Sequence, residues 1–351
     1  MPDPRPAHSP SPLVAGAVTS ALVLTLLAGV AMRWAMAGVV PMVWDFGRLR
    51  HAHGHLGYYG WLVPMAWLGW SACGLPLPSR RAVGVYVVAV VLAIAGFLRA
   101  GYAPEAIVGS TIVGGVWLLT AWTTRERLRH PMDPLGGLLP GMVASLACVP
   151  FVARSTRVDP AVAQQWVATF LAALLLLVVV PTALGVLRVA RPWPVLFGAG
   201  ALGSAALGVW PTPVARMGLV VFAGMLLPVR WGEVPLHVKV VWAAVSVGVA
   251  GMAMGWLPNT RPVVLGAIHF VALSAAAPAL ATTLGWRLGA AGWWVHHAAV
   301  GLLCGPLVLQ AFGAGAWTWS ASALGGTMVL LEALGALGWQ ARSRLLADSE
   351  T

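Results

Sequence analysis

The sequence is poor in charge, and poorest in negative charge. Charged residues make up 9% of the 351 positions, and only 10 of them are Asp or Glu. A soluble domain carries roughly a quarter of its residues as charge, so this composition excludes an ordinary soluble globular domain. The 21 Lys and Arg leave a net charge of +11. They stand singly in short connectors, with no basic run and no interleaved aromatic stripe, which argues against nucleic-acid binding. The excess reads instead as topology information and contact with anionic lipid headgroups. Cysteine is nearly absent: Cys73, Cys148 and Cys304 lie far apart in apolar surroundings and form no C-x-x-C, so they read as small packing residues. A P-loop, H-E-x-x-H, G-x-S-x-G and Rossmann fingerprint are all missing, which removes nucleotide and common hydrolase chemistry.

What the chain has is long apolar runs. Hydrophobic residues account for 59% of it, and its mean hydropathy is +0.84. Stretches of about 17–25 apolar residues match a hydrocarbon core about 30 Å thick. We count about twelve, near 13–33, 52–72, 82–100, 104–124, 134–153, 161–188, 193–209, 213–229, 236–257, 262–285, 291–312 and 317–341. Period-two alternation of the barrel kind is absent, and backbone satisfaction in lipid then demands helices. The expectation is an all-α polytopic bundle over 13–341, with a Pro-rich disordered tail at 1–12 and a C-terminal tail at 342–351. The first run is long enough to be a retained helix rather than a cleaved signal. Connectors on the side of the termini carry more Arg and Lys, among them Arg80, Arg81, Arg125 and Arg127, than those opposite, such as Arg33, Arg48, Arg50 and Arg99. That bias predicts both termini in the cytoplasm of an inner-membrane protein.

Polar groups at bilayer depth are costly, so each is a candidate for function. His51, His53 and His55 alternate at the head of the second run, and His51 and His55 share a helical face from which His53 points away. His269 lies seven residues after Pro262, about 10 Å into the tenth run. It is expected at a depth similar to the triplet, a geometry that suits axial imidazoles on a haem or part of a copper site. His237 and the pair His296-His297 begin runs entered from the opposite side and form a second expected group, ligands of another centre or interfacial rings. Glu332, mid-way along the last run, reads as a proton relay or as a protonated acid bonded to a neighbour. Glu105 suits the start of a helix, and Gln310 a cavity or an interhelical bond. His8 and His130 read as solvated. Many of the 19 tryptophans, such as Trp34, Trp44, Trp193, Trp231 and Trp293-Trp294, read as an interfacial belt.

With these residues placed, the chain resembles the NnrS family of haem- and copper-containing membrane proteins linked to nitric-oxide stress and denitrification. The resemblance rests on His53-Gly54-His55-Leu56-Gly57-Tyr58-Tyr59-Gly60, on Pro235-Leu236-His237-Val238, and on Gly266-Ala267-Ile268-His269 running on to Ala275. Leu56 and Gly57 replace the acidic residue and Met that often follow the second histidine of the family. Residues 288–292 lack a histidine turn usual there, and Pro181-Thr182 is what remains of a polar Pro-containing segment. A remoter resemblance is to the catalytic subunit of haem–copper oxidases. Trp231-Gly232-Glu233-Val234 echoes its metal motif without the histidine and proline. The resemblance implies a haem held by His53 or His55 with His269, copper or a second centre at His51, His237, His296 or His297, and an electron-transfer or respiratory partner. The alternatives are a transporter or metal permease with a histidine-lined path, and a non-catalytic subunit of a respiratory oxidase. Whether the chain is an enzyme stays open.

Overall fold

The computed structural model describes residues 12–129, 133, 135–189, 192–227, 231–284, 286 and 288–349, with side chains described for all but 12, 13, 129, 157 and 343–349. His8 and His130 lie outside the described residues, as does the tail before 12. Among the described residues the chain is all-α, with twelve helical rods in chain order. They are α1 (Pro12–Met36), α2 (46–72), α3 (Arg80–Ala100), α4 (Pro104–Trp122), α5 (Leu138–Val158) and α6 (Pro160–Val186). There follow α7 (Trp193–Ala206), α8 (Pro213–Leu226), α9 (Leu236–Met254), α10 (Arg261–Leu284), α11 (Ala290–Gln310) and α12 (Trp317–Ser349). Among the described residues nine are long and apolar enough to cross a membrane, and the protein is a multi-pass membrane protein.

The starts and stops are local chemistry. Asp45, Ser79, Asp159 and Thr212 each accept a backbone N–H of the first turn that follows, at 2.8, 3.2, 2.9 and 3.3 Å. Such caps occupy donors that a helix start leaves orphaned. Pro104, Pro160 and Pro213 open helices where no N–H is required. Gly255, at φ +78°, closes α9 in the left-handed conformation. Prolines also shorten two rods. Runs expected at 193–209 and 213–229 form helices of 14 residues each, about 21 Å long and short of a full span.

Three rods share a feature that periodicity does not reveal. α2, α6 and α10 each widen into a π-helical segment, at Gly57–Leu62, Leu175–Val179 and Phe270–Ala276. A proline stands two residues beyond each: Pro64, Pro181 and Pro278. The residue before each proline donates to the carbonyl five back, Val63 to Tyr58, Val180 to Leu175 and Ala277 to Ala272. Proline has no N–H to continue that register and clashes with the carbonyl one turn back, so the ladder widens ahead of it. Continuing the same register, Pro64 leaves the Tyr59 carbonyl without its backbone donor. The Tyr86 hydroxyl of α3 donates to that carbonyl at 2.6 Å, which meets the cost of a buried unpaired acceptor. The device recurs on every fourth helix, the second of each successive set of four.

The chain divides into two compact units. Unit 1 is Met1–Val116 with Leu280–Thr351, and unit 2 is Trp117–Ala279. In unit 1, α12 packs along both α1 and α11, and α2 along α1 and α3. Gly325 of α12 meets the backbone of Ala299 and Leu303, and Gly109 of α4 meets that of Ala89 and Ala93. Close backbone approach of this kind is how helices bind one another in lipid, where no hydrophobic drive separates them from solvent. In unit 2, α5 packs on α6, α7 on α8 and α8 on α9. The π segments of α6 and α10 touch. These two rods are the most enclosed of the nine spans, with 78% and 67% of their most apolar stretches buried.

The tryptophans divide. Trp44 and Trp294 are exposed, as a belt requires, whereas Trp193, Trp231 and Trp293 are buried inside the fold. Position near a span end gave no way to distinguish a lipid-facing ring from a core ring.

Candidate functional site

The histidine triplet occupies the first turns of α2, and helical geometry sends its members to two places. His51 and His55 face α3 and the turn after it. The His55 ring stacks on Phe97 at 4.0 Å and 6°, and both rings sit edge-on to Tyr102, His51 at 4.8 Å. Burial pushes the Tyr102 phenol up from its ordinary range, with Arg50 acting in the opposite direction. His53 turns the other way, onto α1. Its Nδ1–H donates to the Thr25 carbonyl at 2.8 Å. The two-and-one division expected from the alternation is the observed one.

That bond settles the chemistry of the His53 ring. A carbonyl only accepts, so Nδ1 carries a proton, and in the neutral ring the lone pair is on Nε2. Metal-ligating histidines are commonly oriented in this way, with the second nitrogen donating to a carbonyl or carboxylate. His269 repeats the arrangement in unit 2, its Nδ1–H donating to the Leu265 carbonyl one turn back at 2.7 Å. His269 also immediately precedes the π segment of α10, as His55 and Leu56 precede that of α2. Such π segments gather at functional sites. His53 belongs to unit 1 and His269 to unit 2.

The second expected group also falls in both units. His237, buried, opens α9 in unit 2. His296 and His297 are buried on α11 in unit 1, with ring centroids 5.6 Å apart beside Trp293. Glu332 of α12 meets His296, its Oε2 lying 2.7 Å from Nδ1. The neighbour expected for Glu332 is therefore an imidazole from another helix. No spacing rule joins positions 36 residues apart on different rods, so the pair was not legible. Glu105 does more than suit a helix start, since it pairs with Arg99. Gln310 makes its interhelical bond, donating to Thr318 Oγ1 at 2.9 Å.

Arg33 also escaped the reading, having been counted only as a connector charge. Its Nε–H donates to Ser322 Oγ at 3.0 Å and its Nη1–H to the Gly29 carbonyl at 3.1 Å. Both bonds turn the guanidinium into unit 1, towards His53.

As to prosthetic groups, the donor sets differ in fit. The Nδ1-anchored rings of His53 and His269 have the tautomer that an iron ligand needs. Among the described residues, no three His, Cys, Asp or Glu side chains gather to hold a metal ion. Compared with protein-family models, curated proteins and solved structures, the chain matches none.

Proposed function

We propose that this protein is a haem-binding inner-membrane protein of NnrS type that handles nitric oxide or a related diatomic ligand. The observation that carries the reading is the pair of bonds in which Nδ1–H of His53 and of His269 donates to a backbone carbonyl, the orientation common among metal-ligating histidines. A haem iron held by imidazole supplies a site at which small diatomic molecules coordinate. The residues of this chain orient the rings: the Thr25 and Leu265 carbonyls hold the imidazoles. Among the triplet, His53 is the preferred donor, because its Nδ1 is anchored on the Thr25 carbonyl. Both termini are cytoplasmic in this reading, and an electron-transfer or respiratory partner lies in the same membrane.

The test is retention of haem. Protein expressed with haem supplied and purified in detergent is expected to show a Soret band that shifts on reduction and again with nitric oxide. A folded but colourless protein would overturn the reading. A second reading, a histidine-lined transport path, draws on the pairing of buried His296 with part-buried Glu332, since intramembrane carboxylates and imidazoles mark ion and proton routes. Colourless protein that moves a proton or metal ion across vesicles would establish it.

A further inference from the structure

The His53 ring lies against α1, on a face built from residues four apart. Ala21, Thr25, Gly29 and Arg33 recur at that spacing and so line one side of the helix. Where the backbone of α2 meets this face, the contacts are tight on both sides. A Cβ on Gly60 would stand 2.8 Å from Ala21 Cβ, and one on Gly57 would stand 3.3 Å from Thr25 Cγ2. Small residues of this kind let two helices approach closely in lipid. One turn further along, the same face receives an imidazole, whose Nδ1–H donates to the Thr25 carbonyl at 2.8 Å.

Gly29 is where the ring needs room. A Cβ there would stand 2.9 Å from His53 Cε1 and 3.1 Å from Arg33 Nη1. The edge of the imidazole and the guanidinium therefore fill, between them, the place that a side chain at 29 would take. An alanine would have to push one of them aside. Moving the imidazole takes Nδ1 off the Thr25 carbonyl. The guanidinium is held from three helices: Nη1–H donates to the Gly29 carbonyl of α1 at 3.1 Å and Nε–H to Ser322 Oγ of α12 at 3.0 Å, while Ser322 donates in turn to the Leu303 carbonyl of α11 at 2.7 Å. An arginine stays ionised, so a clamped positive charge borders the His53 ring.

We propose that Gly29 and Arg33 are positioning residues for His53: Gly29 admits the edge of the imidazole, and Arg33, clamped by Ser322, closes the seat and sets a fixed positive charge beside the ring. The geometry belongs to unit 1 alone, and the consequence for iron rests on the haem reading. A cation beside an axial ligand disfavours the ferric state, which carries the extra positive charge, relative to the ferrous one. Arg33 therefore raises the reduction potential of a haem held by His53.

Redox titration of the haem-loaded protein in detergent, with dithionite as reductant, reads the charge. Arg33→Gln is expected to shift the midpoint to more negative potential, and Arg33→Lys, which keeps the charge, to stay nearer wild type. Haem lost from Arg33→Gln and regained in Arg33→Lys supports the proposal equally. A second measurement needs no haem. Gly29→Ala should lower the thermal unfolding midpoint, and in a His53→Ala background that loss should vanish or reverse, since alanine is otherwise the better helix former. A potential unchanged in Arg33→Gln, one lowered equally in both Arg33 variants, or a Gly29→Ala loss that is the same in both backgrounds overturns the proposal and leaves the haem reading standing. A colourless wild type overturns the haem reading instead, and the unfolding comparison alone then decides whether His53 is seated in this way.

Discussion

Replacing Glu332 by leucine removes the acceptor of the buried His296 imidazole and leaves Nδ1 of that ring without its carboxylate. Two magnitudes compete. Taking one partner from a fully buried ion pair costs about 3–5 kcal/mol, whereas losing a hydrogen bond to a charged group costs about 1.5–3 kcal/mol. The His296 side chain is 6% exposed but that of Glu332 is 22% exposed, so the carboxylate is not fully desolvated and the lower range applies. We expect Glu332→Leu to cost about 2 kcal/mol. Glu332→Gln keeps an acceptor oxygen and should cost under about 1 kcal/mol, the scale of a neutral hydrogen bond. The assay is reversible denaturant unfolding in mixed micelles on Glu332→Leu, His296→Leu and the double variant. Side chains in contact couple, and the cycle should return about 1.5–3 kcal/mol of interaction energy. Costs that add to within about 0.5 kcal/mol would refute the pairing, as would equal losses in Glu332→Leu and Glu332→Gln.

Other consequences follow from single contacts. Tyr86→Phe strips the Tyr59 carbonyl of its donor and should cost about 1–3 kcal/mol; in a Pro64→Ala background, which restores a backbone N–H, unfolding measurements should show much of that cost gone. Gly109→Val sets a side chain against the backbone of Ala89 and Ala93, so α3 and α4 must part, and a loss at or above the usual overpacking cost of about 1–3 kcal/mol is expected in the same assay. Tyr102 keeps its proton to higher pH in the folded state. Its contribution to stability is therefore present below the ordinary phenol value of about 10 and is lost as pH rises through the raised one. The phenolate absorbance of wild type minus Tyr102→Phe should accordingly rise later than that of free tyrosine.

The rods were legible because span length and hydropathy follow directly from bilayer thickness, and Pro192 and Pro194 mark the start of α7 while Pro211 and Pro213 separate it from α8. The alternation of His51, His53 and His55 likewise gave their division between two faces. What escaped depends on contacts between rods. The His296–Glu332 pair, the turn of Arg33 into the bundle and the burial of Trp193, Trp231 and Trp293 are set by which helix lies beside which, and no period within one segment encodes that. The π segments were an intermediate case. Pro64, Pro181 and Pro278 were visible, and a missing N–H deep inside a span was a signal for a local change of register.

The central claim is that nitrogen donors of particular histidines hold a haem, and its most direct measurement is the Soret band of single-histidine variants purified side by side. The account predicts that His53→Ala and His269→Ala lower or shift the band and alter the nitric-oxide difference spectrum, while His51→Ala and His55→Ala leave both close to wild type. An unchanged spectrum in His53→Ala and His269→Ala, or a wild-type protein that takes up no haem, would contradict it.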